Sequence, residues 1–174
     1  MNLGNIKIEV VLGDITQQAD ITAIVNATNS ELQIGDGLSG AIHTAAGTGL
    51  AEECESLAPI RIGEAVITGG HQLPNKYIIH VLGPFYGFNH PESSFLSRCY
   101  EDALKLAEEY EVDSIAFPGI STGEFGYPFE EATEIALSVI KAFSTKVKSI
   151  KLVRFVLRSE KDYTQYMDQL PRIV

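Results

Sequence analysis

Two glycine-rich segments hold the residues best suited to chemistry in this 174-residue chain. The first runs from Asn26-Ala27-Thr28-Asn29 into Gly35-Asp36-Gly37-Leu38-Ser39-Gly40. The second reads Gly119-Ile120-Ser121-Thr122-Gly123-Glu124-Phe125-Gly126-Tyr127-Pro128. Each follows a strand-like run and opens into a helix-like run. Glycine lets backbone N–H groups approach an anion closely, and a helix N-terminus adds partial positive charge. One phosphate needs one such cradle. Two cradles predict a diphosphate, and so a ligand with two phosphates between two sugars, of the ADP-ribose or dinucleotide kind.

Several side chains near these loops have both a chemical and a structural reading. Asn26 and Asn29 carry neutral carboxamides suited to fixing ribose hydroxyls without adding charge beside a diphosphate, and asparagines in turns also cap their own backbone. Asp14 can accept from an adenine amino group while the N–H of Ile15 reaches a ring nitrogen, or it can N-cap a short helical turn with Gln17 three residues on. Ser39 and His43 share a helix face and evoke a nucleophile with its base, but no third residue is placed to orient the imidazole. His43 is expected to pack against the core, and His80 to be structural within an apolar strand. Glu130 and Glu131 open a helix, where carboxylates favour the dipole. Gly35-x-Gly37-x-x-Gly40 spells the dinucleotide fingerprint, yet about nine residues separate it from the strand ending at Val25. Where that fingerprint expects an acidic residue, the chain has Pro59-Ile60-Arg61, so nicotinamide redox chemistry is set aside.

The elements that must position these loops read as alternating strands and helices. Ile6, Ile8, Val10 and Leu12 alternate with period two, and Ile21–Val25, Glu64–Thr68, Tyr77–Leu82, Ser114–Phe117 and Leu152–Leu157 are further strand-like runs. Most are apolar throughout, as expected of strands covered on both faces. Helix-like segments are Ser39–Ala46, Leu50–Leu57, Glu92–Tyr110, Phe129–Phe143 and Glu160–Leu170. Ser159 stands three residues before Asp162, a capping pattern. Gly69-Gly70 and Pro74-Asn75 between Thr68 and Tyr77 predict one antiparallel pair. The fold expected is an α/β domain with a mixed, largely parallel central sheet, its ligand site beyond the strand C-termini.

Length and composition predict one domain spanning 1–174, with 45% apolar and 21% charged residues and no low-complexity tract. A net charge of −10 opposes broad attraction to nucleic acid or anionic membrane, so local backbone donors must hold any anion. The first ten residues lack the pattern of a secretory signal, and a cytoplasmic protein is expected. Cys54 and Cys99 are read as buried free thiols, and the four histidines show no metal-ligand spacing, so neither a metal nor a cofactor is expected.

Taken in order, Gly13-Asp14-Ile15-Thr16, Val25-Asn26-Ala27-Thr28-Asn29, Gly37-Leu38-Ser39-Gly40-Ala41-Ile42-His43, Gly63-Glu64-Ala65, Tyr77-Ile78-Ile79-His80-Val81-Leu82-Gly83-Pro84 and Ile120 to Pro128 resemble a macrodomain of the MacroD-type group. The likeness runs from about Ile6 to Leu170. It implies a three-layer α/β/α sandwich that binds ADP-ribose. By that likeness Asp14 and Ile15 recognise adenine, and Asn29 positions the distal ribose. The loop of Gly35, Gly37, Leu38 and Gly40, with Ser121, Thr122, Gly123, Glu124 and Gly126, wraps the diphosphate, while Phe125 and Tyr127 close the pocket. Members of the group remove ADP-ribose from acidic side chains, or acetyl from O-acetyl-ADP-ribose, without a metal. The partners implied are ADP-ribose, O-acetyl-ADP-ribose and mono-ADP-ribosylated proteins. Four departures stand out. Active members commonly carry an aspartate where this chain has Ser39. Asp36 gives a Gly-Asp-Gly arrangement similar to viral macrodomains, and Glu124 replaces a small apolar residue. Arg158 occupies a position where Phe or Tyr often stacks on adenine, a role that a guanidinium can also fill. The catalytic set expected is therefore Asn29, Ser39 and Asp36, with a non-catalytic reader of ADP-ribose as the alternative.

Overall fold

Short β-branched runs form the strands of the computed structural model, which describes residues 1–173. In chain order the strands are β1 (Asn2–Leu3), β2 (Ile6–Leu12), β3 (Ala23–Ala27), β4 (Ala65–Gly69), β5 (Tyr77–Val81), β6 (Ser114–Phe117) and β7 (Leu152–Leu157). The helices are α1 (Gly37–Ala46), α2 (Thr48–Glu55), α3 (Glu92–Glu109), α4 (Phe129–Phe143) and α5 (Glu160–Ile173). The strands make one sheet in the order β1-β2-β7-β6-β3-β5-β4. Its five inner strands run parallel, and β1 and β4 pair antiparallel at the two edges.

The period of two along each strand assigns the faces. Ala23 and Val25 of β3, Ile79 and Val81 of β5, and Val153 and Phe155 of β7 pack with α3, α4 and α5 in one core. Ile24, Ile78, Ala116 and Val156, one register position away, pack with α1 and α2 in a second core. The result is the expected three-layer sandwich. An aromatic row stiffens the larger core: Phe155 lies 4.7 Å from Tyr166 and 6.1 Å from Phe117, ring centre to ring centre. Truncating a ring such as Phe155 to alanine costs about 3–5 kcal/mol.

Most expected elements form where the sequence places them, including the antiparallel β4–β5 pair and the Ser159 cap, whose hydroxyl accepts from the Asp162 N–H at 3.1 Å. The strand β1 was not anticipated, because two residues carry no periodicity. β3 starts at Ala23 instead of Ile21, since Asn75 accommodates the carbonyl of Ile21 with its side-chain amide at 2.7 Å. α1 starts at Gly37 instead of Ser39, where a φ of +57° suits a residue without a β-carbon.

The fold places both glycine-rich loops together. β3 and β6 are parallel neighbours, and each loop leaves the C-terminal end of one of them. Among the described residues no helix is long and apolar enough to cross a membrane.

Candidate functional site

Where the loops diverge beyond β3, β5 and β6, a cavity of about 370 Å³ opens, of the size that small-molecule sites occupy. The first loop lines it with Ala27, Thr28, Asn29, Gly35, Asp36, Gly37, Leu38 and Ser39. The second supplies Gly119, Ser121, Gly123, Glu124 and Phe125, and Gly83 comes from the end of β5. Ten expected site residues therefore converge: Asn29, Gly35, Asp36, Gly37, Leu38, Ser39, Ser121, Gly123, Glu124 and Phe125.

Asn29 caps its own loop, as one of its two readings expects, and it also lines the cavity. Its Nδ2 donates to the Gln33 carbonyl at 3.0 Å, and its Oδ1 accepts from the Gln33 N–H at 3.0 Å, which pins the loop between β3 and Gly35. A carboxamide has two N–H groups and two acceptor lone pairs, so one donor and one acceptor stay free toward the cavity. Ser39 stands nearby on the first turn of α1. A β-carbon placed on Gly35 would lie 3.6 Å from Asn29 Nδ2 and 3.9 Å from Ser39 Oγ, so glycine there keeps open the space between them.

Three residues of the lining carry a buried hydroxyl without a hydrogen-bond partner: Thr28, Ser39 and Ser121. They are only 4%, 6% and 7% exposed. Buried polar atoms are nearly always paired, so three orphans among the residues of one lining call for polar partners that the protein itself does not supply there. Ser121 also holds φ at +63°, a sparsely populated conformation for a residue with a β-carbon. Gly83 packs directly against its hydroxyl, leaving no room for a side chain at position 83.

The cavity has no Lys or Arg in its lining; its charged residues are Asp36 and Glu124. An anion must therefore rely on backbone donors. Asp36 is the N-cap of α1 but makes no side-chain hydrogen bond to the first turn, which leaves those N–H groups and the helix dipole for a ligand.

Other expected residues lie outside the cavity lining, each for a visible reason. Asn26, expected among the ligand-binding residues, is instead fully buried outside the cavity lining, and its side-chain amide donates to His80 Nδ1 at 3.2 Å on the α1 side of the sheet. That bond leaves the His80 proton on Nε2, which donates to Thr68 Oγ1 at 3.0 Å. Burial, with the nearby His43, pushes the His80 imidazole down to about 3. His43 is itself buried and held below the usual histidine range by desolvation. Gly40 is a packing glycine, since a side chain there would run into the carbonyl of Gly35. Thr122 turns toward Gly119, and Gly126 closes a turn by donating to the Gly123 carbonyl at 3.0 Å. Tyr127 is buried in the core, with its N–H on the Ser121 carbonyl at 2.8 Å, and supports the loop from behind.

Asp14 caps the short 3-10 turn Ile15–Gln17, its Oδ1 accepting from the Thr16 N–H at 2.9 Å and the Thr16 hydroxyl at 2.7 Å. Those bonds, the hydroxyl first, hold its carboxyl below the usual range, and the Arg158 charge adds to them. Ile15 is buried beneath α1, and Arg158 is exposed at the end of β7. A brace fixes this turn: Arg154, bound to Glu9 at 2.8 Å and to Asp20 by two bonds, donates to Gln18 Oε1 at 3.0 Å. Gln18 Nε2 in turn donates to the Asp14 carbonyl at 2.8 Å.

The sequence reading missed Ala27, Thr28, Gly83 and Gly119. Thr28 sits between the two asparagines of the first motif, and Gly83-Pro84 ends a strand with a turn signal, so both had a legible cue.

Comparison with known proteins agrees with this geometry. The Macro domain family profile matches residues 25–136. A macro domain-containing protein of Caldanaerobacter subterraneus is 48% identical over 165 residues, covering 92% of this chain and 93% of that protein. An ADP-ribose glycohydrolase of Mus musculus is 43% identical over 96% of this chain and 52% of its own length. An O-acetyl-ADP-ribose deacetylase of Pantoea vagans is 39% identical over 94% of this chain and 98% of its own length. Among solved structures, the Oceanobacillus iheyensis macrodomain with ADP superposes with a TM-score of 0.94 at 39% identity, covering 99% of this chain and 94% of that one. The chain belongs to the Macro domain family.

Proposed function

We propose that this macrodomain binds ADP-ribose in the cavity over β3 and β6 and hydrolyses esters of its distal ribose, both O-acetyl-ADP-ribose and mono-ADP-ribosyl esters on acidic residues of proteins. The observation that carries the reading is the set of three partnerless buried hydroxyls on the lining residues Thr28, Ser39 and Ser121, together with the free half of the Asn29 amide. Relatives named for glycohydrolase and deacetylase activity support the same chemistry. Two buried free cysteines fit a reducing, cytoplasmic setting.

The diphosphate lies on the uncapped N–H groups of α1 and on the second loop, where glycines let backbone donors approach. Asn29 fixes the distal ribose through its remaining N–H and lone pair. A water oxygen attacks the ester, the bond between acyl group and ribose oxygen is exchanged for a bond to water, and the products are a carboxylic acid and ADP-ribose. Positioning supplies much of the rate, because a correctly held water and ester need no further ordering. In this reading Ser39, whose hydroxyl is buried and unpartnered, holds that water, and backbone donors meet the charge that develops on oxygen. Asp36 is exposed at the lip and assists only through a hydrogen bond to solvent entering the site. Asp14 and Ile15, at the braced turn beyond the cavity, take the adenine, with Arg158 beside it.

Calorimetric titration with ADP-ribose, and with AMP and ribose 5-phosphate as partial ligands, tests the assignment. Saturable one-to-one binding of ADP-ribose, at least tenfold tighter than either fragment (about 1.4 kcal/mol), is expected. Equal affinity for AMP and ADP-ribose would remove the distal ribose from the cavity.

A further inference from the structure

Phe85, Tyr86 and Phe88 are 43%, 39% and 81% exposed on the loop that joins β5 to α3. Three large aromatics in four positions form an apolar surface that a protein seldom leaves to water without a partner. The loop is well tied down. The Phe85 N–H donates to Asn89 Oδ1 at 2.8 Å, the Tyr86 N–H to the Phe125 carbonyl at 2.9 Å, and the Phe88 N–H to the Phe85 carbonyl at 3.2 Å. The ring of Phe85 stacks on that of Phe125, with 3.8 Å between centres and 21° between planes. Phe125 lines the cavity, so the aromatic shelf continues the cavity wall outward.

The charged lining points to the same place. Asp36 and Glu124 stand exposed on opposite loops of a cavity read as holding a diphosphate. Two carboxylates beside two phosphates repel them, and so weaken free ADP-ribose instead of helping it. Their charge suits a cation that arrives with the ligand.

We infer that the shelf of Phe85, Tyr86 and Phe88, with Asp36 and Glu124, is a docking surface for the polypeptide attached to the distal ribose, selecting chains with Lys or Arg flanking the modified residue. Apolar side chains or the aliphatic stems of those cations lie on the shelf, and the cationic heads face the two carboxylates. The net charge of −10 favours such a peptide over a nucleic acid, whose phosphates would meet the same carboxylates. The inference rests on the ADP-ribose reading of the cavity.

The test compares affinities on wild type and Phe88→Ser, using a hydrolysis-resistant amide linkage so that turnover plays no part. The ligands are free ADP-ribose, an ADP-ribosylated peptide with Lys and Arg flanks, the same peptide with Glu flanks, and an ADP-ribosylated single-stranded oligonucleotide. The basic peptide is expected to bind about tenfold tighter than free ADP-ribose, with the advantage shrinking as salt rises from about 50 to about 500 mM. Phe88→Ser is expected to cut that advantage at least threefold while leaving free ADP-ribose unchanged. Equal affinity for basic and acidic peptides, an oligonucleotide that binds tighter than the basic peptide, or indifference to Phe88→Ser overturns the docking surface while ADP-ribose binding stands. Loss of ADP-ribose binding altogether would overturn the functional reading and the docking surface with it.

Discussion

The side-chain amide of Asn26 donates to Nδ1 of His80 across 3.2 Å, between two adjacent parallel strands and outside the cavity lining. Three residues later, Asn29 faces the cavity. Two asparagines of one motif thus do different work. The first fixes an imidazole tautomer inside the sheet, and the second holds the loop and presents a free amide edge to a ligand.

The buried imidazole makes stability depend on pH. Below about 6.5 an unfolded chain protonates His80, whereas the folded chain resists until about 3, so the unfolded state binds more protons between those values. Burial of His43 acts in the same direction. Stability is therefore full above pH 7 and falls as pH drops through about 6 toward 5, by up to about 1.4 kcal/mol per pH unit for His80 alone. Urea midpoints at several pH values in that range check this. His80→Gln is expected to be less stable at pH 7 but to show a shallower slope. A wild-type midpoint that stays flat across the range would contradict a neutral buried His80.

Asp14 separates capping from recognition through Asp14→Asn. Asparagine keeps the acceptor that caps the Ile15–Gln17 turn, so the melting temperature is expected to stay within about 2 °C of wild type. Loss of the charged acceptor is expected to weaken ADP-ribose binding roughly tenfold, about 1.4 kcal/mol. A variant with unchanged affinity would take Asp14 out of adenine recognition.

The two cradles are tested by filling them. A β-carbon on Gly123 meets nothing within 4 Å, so Gly123→Glu is expected to fold normally but to place a charged side chain where the proposed binding mode puts a phosphate. Affinity for ADP-ribose is expected to fall at least 100-fold, about 2.7 kcal/mol. Gly37→Val is expected to lose binding too, with a further stability cost of about 1–2 kcal/mol because valine is strained at φ +57°. Near wild-type affinity in the Gly123 variant would remove the diphosphate from the second loop.

In the proposed mechanism Asn29 and Ser39 govern turnover. Asn29→Ala is expected to slow ester hydrolysis by one to two orders of magnitude, roughly 1.4–2.7 kcal/mol of barrier, with a smaller loss of affinity. Part of that effect comes through the two hydrogen bonds to Gln33, so a melting curve must accompany the kinetics. Ser39→Asp, which supplies a base beside the water, is expected to raise kcat at saturating ligand, where repulsion from the diphosphate cannot mask the gain. A Ser39→Asp rate at or below that of wild type would contradict the water-holding position.

Strand alternation and apolar stripes made the sandwich legible, because the two faces of β3, β5 and β7 follow the period of two directly. The loop glycines were legible as a class, but their separate duties were not. Gly35 borders the cavity and Gly40 only packs against it, a difference that depends on which carbonyl stands opposite. Thr28 and Gly83 stand inside legible motifs, but their place on one cavity depends on β3, β5 and β6 ending side by side, an adjacency that the motifs alone do not state. Asn26 lies inside the sheet because β3 runs one residue past it, to Ala27, so its side chain meets His80 of β5 before the loops diverge.

The most direct test of the central claim is incubation of the wild-type protein with saturating O-acetyl-ADP-ribose and with a protein ADP-ribosylated on acidic residues, following released product by chromatography. The cavity geometry predicts acetate and ADP-ribose in equal amounts from the first and free ADP-ribose from the second, both suppressed by Gly123→Glu. Tight binding of ADP-ribose with no release from either ester would contradict hydrolysis and leave a reader of the modification.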